Sequence, residues 1–139
     1  MPMIQIKFAP APATSLEGIE SRIAANASRL SKEWLGKDPG VTAVLVERVD
    51  PAIWYCSGST LAEQGKAGLW LDIRVTEGTN TKDEKAAFVA ATFASMADLL
   101  GPLHNESYVH VLEARGDAYG YGGLTQERRY IDSRPIAVG

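Results

Sequence analysis

One apolar pattern occurs twice in this chain, 67 positions apart. Ile4, Ile6 and Phe8 alternate with other residues, and Leu71, Ile73 and Val75 repeat the same alternation. A period of two is typical of a β-strand that buries one face. The repetition therefore predicts a chain built from two similar units, each of which begins with such a strand.

A helix and a second strand follow the first of these strands. Apolar residues recur every three or four positions between 16 and 34, which predicts an amphipathic helix. Thr14 and Glu17 have the spacing of a capping box at its start, and Gly36 lies where it should end. Residues 41–49 are rich in β-branched residues and predict the second strand.

The second unit repeats this order. Thr81 and Glu84 have capping-box spacing, and Gly101 precedes a proline where the helix should stop. Residues 108–112 predict the fourth strand. The apolar stripe predicted for this helix is formed by Val89, Phe93, Met96 and Leu100.

Two strand–helix–strand units predict an α/β chain, an α+β sandwich of two layers. We expect parallel pairing within each unit and a four-stranded sheet with both helices on one face. The single domain would cover residues 1–139, with repeats at about 2–67 and 68–130 and a C-terminal tail. Because a two-layer chain leaves one sheet face bare, we expect a homo-oligomer of identical chains.

Composition excludes several classes of function. Lys and Arg number 14 against 17 Asp and Glu, so the chain lacks the positive charge typical of nucleic-acid binding. Its longest apolar run, residues 86–91, is far shorter than the roughly 20 residues of a membrane span. The first residues also lack the charged and then apolar pattern of a leader. We therefore expect a soluble, cytoplasmic protein without nucleic-acid or membrane partners.

The cysteine count also limits the chemistry. Cys56 is the one cysteine, so it cannot form an internal disulfide, and only His104 and His110 could join it in binding a metal. We therefore expect no metal site.

Pro2 is the most informative single residue. Methionine is commonly removed ahead of a small residue, and its removal would leave Pro2 as a secondary amine at the start of the first strand. The ordinary pKa of an α-amino group is about 7.7 to 8.0, and an apolar pocket lowers it. Such an amine could act as a general base near neutral pH, unless Pro2 merely precedes an edge strand.

A resemblance to a known family rests on Pro2, the strand–helix–strand unit and residues 119–123 (Tyr-Gly-Tyr-Gly-Gly). Together they resemble the tautomerase superfamily. Residues 69–129 are similar to one whole 4-oxalocrotonate tautomerase unit, and the first half matches more loosely, with residues 54–58 where the hairpin belongs. The chain is similar to the double-length members, which assemble as trimers. The resemblance thus implies a homotrimer.

The resemblance implies a small-molecule substrate and no cofactor: Pro2 is catalytic and moves a proton within a small enol or 2-keto compound. If the proline stays protonated, the resemblance implies instead a dehalogenase, hydratase or decarboxylase that acts on small unsaturated or β-keto acids. A third alternative is a trimeric binding protein that keeps the fold without using the amine.

Two arginines are candidates for holding a substrate carboxylate. Short tautomerases carry an arginine directly after a Glu-Gly pair, but Thr79 follows Gly78 here. Either Arg74 or Arg115 replaces that arginine, or the substrate is not the usual acid. The alternative for both is a solvated surface arginine.

Four further residues are candidates for substrate binding. Tyr119 lies where short tautomerases place an aromatic wall, and Trp54 could do the same from the first half. His110 and Tyr108 share a face of the strand that lines the site in dehalogenase-like relatives. The alternative for all four is ordinary packing in the fold.

Overall fold

Two strand–helix–strand units form the main sheet of the computed structural model, which describes residues 2–134. The first unit contains β1 (Met3–Ala9), α1 (Ile19–Leu35) and β2 (Ala43–Arg48). The second contains β5 (Gly68–Thr76), α3 (Lys82–Leu100) and β6 (Tyr108–Ala114). Strands pair in parallel within each unit, β1 and β5 pair antiparallel, and the order is β2-β1-β5-β6. The predicted fold class is confirmed.

A small hairpin and a short helix follow each unit. After the first unit come β3 (Tyr55–Cys56), β4 (Ser59–Thr60) and α2 (Leu61–Gln64). After the second come β7 (Gly120–Tyr121), β8 (Leu124–Thr125) and α4 (Gln126–Ser133). The sequence reading contained no counterpart of α4, and the rest of the predicted C-terminal tail, residues 135–139, lies outside the described residues, as does Met1.

The core lies between one sheet face and the two long helices. Alternate strand residues point into it, as the period of two predicted. The largest side chains of this core are Ile4, Ile6, Phe8, Leu69, Leu71, Ile73, Ile19, Ile23, Leu30, Phe88 and Met96. The intervening strand residues face the opposite side, which no element of residues 2–134 packs across in a second layer. We call this second side the open sheet face.

The start of α1 differs from the prediction. Gly18, in a left-handed conformation with φ 59°, takes the N-cap position, and no side chain caps the helix. The Thr14 hydroxyl instead donates to the Leu100 carbonyl at 3.1 Å. The predicted capping box of Thr14 and Glu17 is therefore wrong, because Thr14 bonds to the distant end of α3. The predicted end at Gly36 is correct.

The capping box of α3 is confirmed, but its buried stripe is shifted. The Thr81 hydroxyl accepts from the Glu84 backbone N–H at 3.1 Å, and the Glu84 carboxylate accepts from the Thr81 N–H at 2.8 Å. The buried positions are Phe88, Thr92, Met96 and Leu100. Val89 is exposed, because the helix turns the larger Phe88 ring toward the sheet.

No helix within residues 2–134 is both long enough and apolar enough to cross a lipid bilayer.

Candidate functional site

Pro2 is buried at the end of the sheet where β1 and β2 begin, and several elements meet there. Its carbonyl accepts a hydrogen bond from Ala43 N–H, at the start of β2, at 3.2 Å. Because β1 and β2 run parallel, both begin at this end of the sheet. Strand β5 runs antiparallel to β1, so Arg74, near the end of β5, lies opposite Met3. Strand β6 runs parallel to β5 and ends on the same side, where the β7–β8 hairpin follows it. The topology therefore brings residues far apart in sequence to Pro2.

A cavity of about 470 Å³ lies against Pro2. We call it the Pro2 cavity. The start of the chain, the turn before β2, the β7–β8 hairpin and the first residue of α4 form its walls. The lining residues are Pro2, Met3, Gly40, Val41, Thr42, Ala43, Tyr119, Gly120, Tyr121 and Gln126.

The walls of the Pro2 cavity are uncharged, since no charged side chain of residues 2–134 lines it. Two of its polar groups already have partners. The Thr42 hydroxyl donates to the Asp38 carbonyl at 2.7 Å, and the Tyr119 hydroxyl lies 3.2 Å from that of Thr76. The side-chain amide of Gln126 makes no hydrogen bond with residues 2–134 and is not among their fully buried polar atoms, although the residue as a whole is only 8% exposed. The cavity thus offers hydrogen bonding without charge.

The hairpin holds Tyr119 next to Pro2. At Gly120 a β-carbon would lie 1.9 Å from the Leu124 carbonyl oxygen, so only glycine permits this close pairing. The Tyr119 carbonyl accepts from Gln126 N–H at 3.0 Å, which ties the hairpin to α4. The glycines that suggested the family resemblance therefore also bring Tyr119 and Gln126 together. The structure places Tyr119 where the sequence reading expects it, and its role in binding stays a proposal.

Arg74 lies in a cavity that adjoins the Pro2 cavity. Its side chain is on the open sheet face, as its alternation with Ile73 and Val75 predicts. It lines an adjoining cavity of about 360 Å³ that shares Met3, Tyr119 and Gly120 with the Pro2 cavity. Within one chain, Arg74 does not line the Pro2 cavity itself.

Arg115 is bound elsewhere. Its guanidinium donates to the Asp117 carboxylate at 3.0 and 2.9 Å, and its side chain is 70% exposed. These hydrogen bonds, with the attraction between the two charges, raise the pKa of Arg115 and lower that of Asp117. Arg115 does not line the Pro2 cavity, and its geometry is that of a solvated surface ion pair.

The other aromatic and histidine candidates are also outside the Pro2 cavity of their own chain. His110 lies beside Asp72 in the register of β6 and β5, and the centre of the Tyr108 ring lies 5.9 Å from that of Trp70. All four side chains are on the open sheet face. Trp54 packs against the small buried cluster of Ala9, Cys56 and Leu61, at the far end of β1. Within one chain, the structure therefore brings Tyr119 to Pro2 but not Trp54.

Cys56, His104 and Glu106 are the described residues that could hold a metal. Their ligand atoms all lie within 4.8 Å of one another, at the end of β5 remote from Pro2. Two features oppose metal binding there. Burial, with the charge of Glu106, raises the pKa of the Cys56 thiol, and His104 Nδ1 already accepts from Glu106 N–H at 3.0 Å. A metal would have to deprotonate the thiol and compete with that hydrogen bond.

Gln126 is the cavity residue that the sequence reading missed. Thr125 caps α4 by accepting from Arg128 N–H at 3.0 Å, and four helix-favouring residues follow it. That pattern would have predicted α4. It would not have shown that the first residue of the helix faces Pro2, because this depends on the distant hairpin contact.

Comparison with known proteins identifies relatives by structure only. No known family profile matches the sequence, and no curated protein is similar to it. Among solved structures, Pt0534 inactivated by 2-oxo-3-pentynoate has a TM-score of 0.75 at 17% identity, covering 91% of this chain and 98% of that one.

Two further structures belong to different branches of the same superfamily. The Q0 fused 4-OT, a symmetric trimer, has a TM-score of 0.74 at 14% identity, covering 90% of this chain and 96% of that one. N1, of the cis-3-chloroacrylic acid dehalogenase family, has a TM-score of 0.68 at 17% identity, covering 94% and 92%. At these identities the likeness shows the fold, and it confirms the resemblance found in the sequence at that level.

Proposed function

We propose that this chain, whose fold is that of the tautomerase superfamily, is a cofactor-independent tautomerase that uses Pro2 as its general base. Its substrates would be small enol or 2-keto compounds. One observation carries the proposal: Pro2 is buried against a cavity whose walls carry no charge within residues 2–134.

The chemistry requires Met1 to be removed. Pro2 nitrogen in a peptide bond is an amide and does not take up a proton near neutral pH, whereas the free ring nitrogen is a secondary amine that does. The amine would remove the proton of an enol hydroxyl and return it to the neighbouring carbon, which converts the enol to the ketone. No bond other than those to the moving proton and the shifting double bond changes.

The uncharged cavity supports the base role of Pro2. Burial away from water disfavours the charged form of an amine, and residues 2–134 place no carboxylate on the cavity wall to stabilise an ammonium group. A neutral amine at working pH is what a general base requires.

The second candidate is a dehalogenase, hydratase or decarboxylase in which Pro2 stays protonated. Arg74 favours it, because its guanidinium in the adjoining cavity could hold the carboxylate of a small unsaturated or β-keto acid. The pKa of the Pro2 amine separates the two candidates: a base must be neutral at working pH, and an acid must be charged.

We propose further that the chain forms a homotrimer. The open sheet face leaves large side chains such as Trp70 and Tyr108 exposed, and the similar Q0 fused 4-OT is a symmetric trimer. Association of three chains would cover this face and could bring residues of one chain to the Pro2 cavity of another.

The test is the ketonisation of phenylenolpyruvate, followed by absorbance, with protein shown by mass to lack Met1. We expect Pro2→Ala to lower kcat/KM at least about 100-fold, the range that general-base catalysis contributes. Pro10→Ala is the matched control, since Pro10 follows β1 at the other end of that strand, and it should keep the wild-type rate.

Equal rates for wild-type protein and Pro2→Ala would remove Pro2 from the mechanism. Absence of any ketonisation by trimmed wild-type protein, with phenylenolpyruvate and with an uncharged enol alike, would favour the third alternative, a trimeric binding protein without catalytic use of the amine.

A further inference from the structure

Gln126 has a side-chain amide that makes no hydrogen bond with residues 2–134 and that solvent in the cavity can reach. Its backbone N–H donates to the Tyr119 carbonyl, which fixes the residue at the start of α4. The residue is 8% exposed and lines both the Pro2 cavity and a neighbouring cavity of about 580 Å³. An amide that faces the cavity with its hydrogen-bonding capacity unused can exchange solvent for a ligand without losing a partner within residues 2–134.

The other polar groups near Pro2 are less available to a ligand. The Thr42 hydroxyl already donates to the Asp38 carbonyl, and the Tyr119 hydroxyl is within hydrogen-bond distance of the Thr76 hydroxyl. Arg129, the cation that follows on α4, donates to the Tyr121 carbonyl at 2.7 Å and stacks 3.8 Å from the centre of the Tyr121 ring. Arg129 Nε has no hydrogen-bond partner among residues 2–134, but Arg129 lines the neighbouring cavity and not the Pro2 cavity. The Gln126 amide remains the side-chain donor beside the base.

We infer that Gln126 binds the substrate in the Pro2 cavity and donates a hydrogen bond to the carbonyl or enol oxygen of an uncharged enol or ketone. This inference rests on the proposed function. It adds a residue and a substrate class to it, since the sequence left open whether the substrate is an acid.

The charge of the cavity determines the substrate class. A carboxylate that leaves water needs an opposite charge or several strong hydrogen bonds, and the walls formed by residues 2–134 offer no cation. Arg74 is not among the residues that line the Pro2 cavity; it lines the adjoining cavity, which shares Met3, Tyr119 and Gly120 with it. An ester or a simple ketone needs only the hydrogen bond that an amide N–H can donate.

The amide also acts on the reaction itself. As the enol proton moves to Pro2 nitrogen, negative charge develops on the substrate oxygen, and an N–H donor placed there stabilises it. The proton then passes to carbon, the carbonyl double bond forms, and the Pro2 amine is neutral again. Gln126 exchanges no proton, so its part is binding and charge stabilisation.

The first experiment compares an acid with its ester. Ketonisation rates are measured for phenylenolpyruvate and for the enol of methyl phenylpyruvate, with wild-type protein that lacks Met1. We expect kcat/KM for the ester to exceed that for the acid at least tenfold. A preference of that size for the acid would overturn the uncharged substrate class, and would indicate a cation that reaches the cavity from another chain.

The variants then test Gln126 itself. Gln126→Leu removes the donor, and Gln126→Glu keeps the size but replaces the N–H donors with charge. Both should lower kcat/KM for the ester at least tenfold. Arg128→Gln is the matched control on α4, because its guanidinium is exposed and paired with Asp132, and it should keep the wild-type rate. Thermal unfolding shows whether each variant is folded. Unchanged rates in folded Gln126→Leu would contradict the inference.

A binding measurement separates this inference from the proposed function. The ¹⁵N-labelled side-chain amide of Gln126, assigned by its loss in Gln126→Leu, is followed by NMR during titration with methyl phenylpyruvate and with phenylpyruvate. We expect the ester to shift this amide at lower concentration than the acid. A shift without any ketonisation would retain Gln126 as a binding residue and reject the tautomerase. Ketonisation without a shift would retain the tautomerase and reject Gln126 as a binding residue.

Discussion

The polar side chains considered for substrate binding differ in whether they already have hydrogen-bond partners within the chain. Arg115 and Asp117 hold each other through two hydrogen bonds at the surface, whereas the Gln126 amide has no partner among residues 2–134. A side chain that already has a partner must lose it before it can bind a substrate. This difference predicts which substitutions change catalysis.

Arg115→Ala should therefore leave kcat/KM within about twofold of the wild-type value. It should also raise the pKa of Asp117 toward its ordinary value, because the hydrogen bonds from Arg115 that lower it are lost. A ¹³C NMR titration of the Asp117 carboxyl group measures this change. A tenfold rise in KM in Arg115→Ala would instead identify Arg115 as a substrate ligand.

The sequence could predict which residues lie at the Pro2 cavity only where the reason is local. Pro2 stands out by its position, and Tyr119 by the glycines beside it. Gln126 has no such sign, since its burial follows from the contact between Tyr119 and α4. Trp54 has the right residue type, but its hairpin packs at the opposite end of β1. The distance of Trp54 from Pro2 is set by tertiary packing, which residue type does not reveal.

At the scale of elements, α3 has the best-defined local start in the chain. Thr81 and Glu84 exchange hydrogen bonds between side chain and backbone in both directions. The bond from the Thr81 backbone, followed by that from its side chain, lowers the pKa of Glu84. The ionised carboxylate is therefore the form that the folded state favours.

Thr81→Ala should lower the free energy of unfolding by about 1 kcal/mol, the usual effect of losing an N-cap. Urea unfolding followed by circular dichroism measures it. Glu17→Ala is the control, because Glu17 belongs to the predicted box that does not form, and it should have no comparable effect. Similar losses in the two variants would contradict the assignment of the cap.

The pH dependence of this effect has a definite sign. Because the folded pKa of Glu84 is lowered, its contribution to stability is present above its unfolded pKa and is lost as the pH falls through its folded pKa. The difference between wild type and Thr81→Ala should therefore shrink on acidification through that range.

Strands and the α3 cap could be predicted because their signals are local, and other boundaries could not. The start of α1 depends on Gly18 and on the bond from Thr14 to Leu100, 86 positions away. The register of α3 depends on whether Phe88 or Val89 faces the sheet, and both are apolar. These choices are made by packing between elements.

At the scale of the whole molecule, the open sheet face is the feature that a single chain leaves incomplete. Leu45, Trp70 and Tyr108 are about half exposed on it, and Asp72 Oδ1 is buried without a hydrogen-bond partner within residues 2–134. Exposed apolar side chains gathered on one face indicate an interface. The two-layer architecture predicted this face from the sequence, while the number of chains that cover it stays a prediction.

Leu45→Lys should weaken the proposed homotrimer, because it places a charge on the face that would be covered. Sedimentation should give three times the chain mass for wild type and a smaller mass for Leu45→Lys. Leu16→Lys is the control, as Leu16 is similarly exposed but lies before α1, outside the sheet. A monomeric wild type at micromolar concentration would contradict the trimer.

The central claim is that the Pro2 nitrogen is a free, reactive amine within its cavity. 2-Oxo-3-pentynoate, the compound that inactivated the similar Pt0534, can test it together with its methyl ester, because an amine adds to their activated triple bond. The N–C bond forms, the amine proton passes to the neighbouring carbon, and the protein gains the whole mass of the reagent. The Cys56 thiol should compete poorly, since it is buried and burial raises its pKa.

Intact-mass spectrometry with mapping of the N-terminal peptide is therefore the most direct measurement. The account predicts one reagent per chain, on Pro2, in protein that lacks Met1, with loss of ketonisation in proportion to labelling, and no adduct at Pro2 in protein that retains Met1. A free Pro2 that stays unlabelled by both reagents, or full activity after complete labelling, would contradict it.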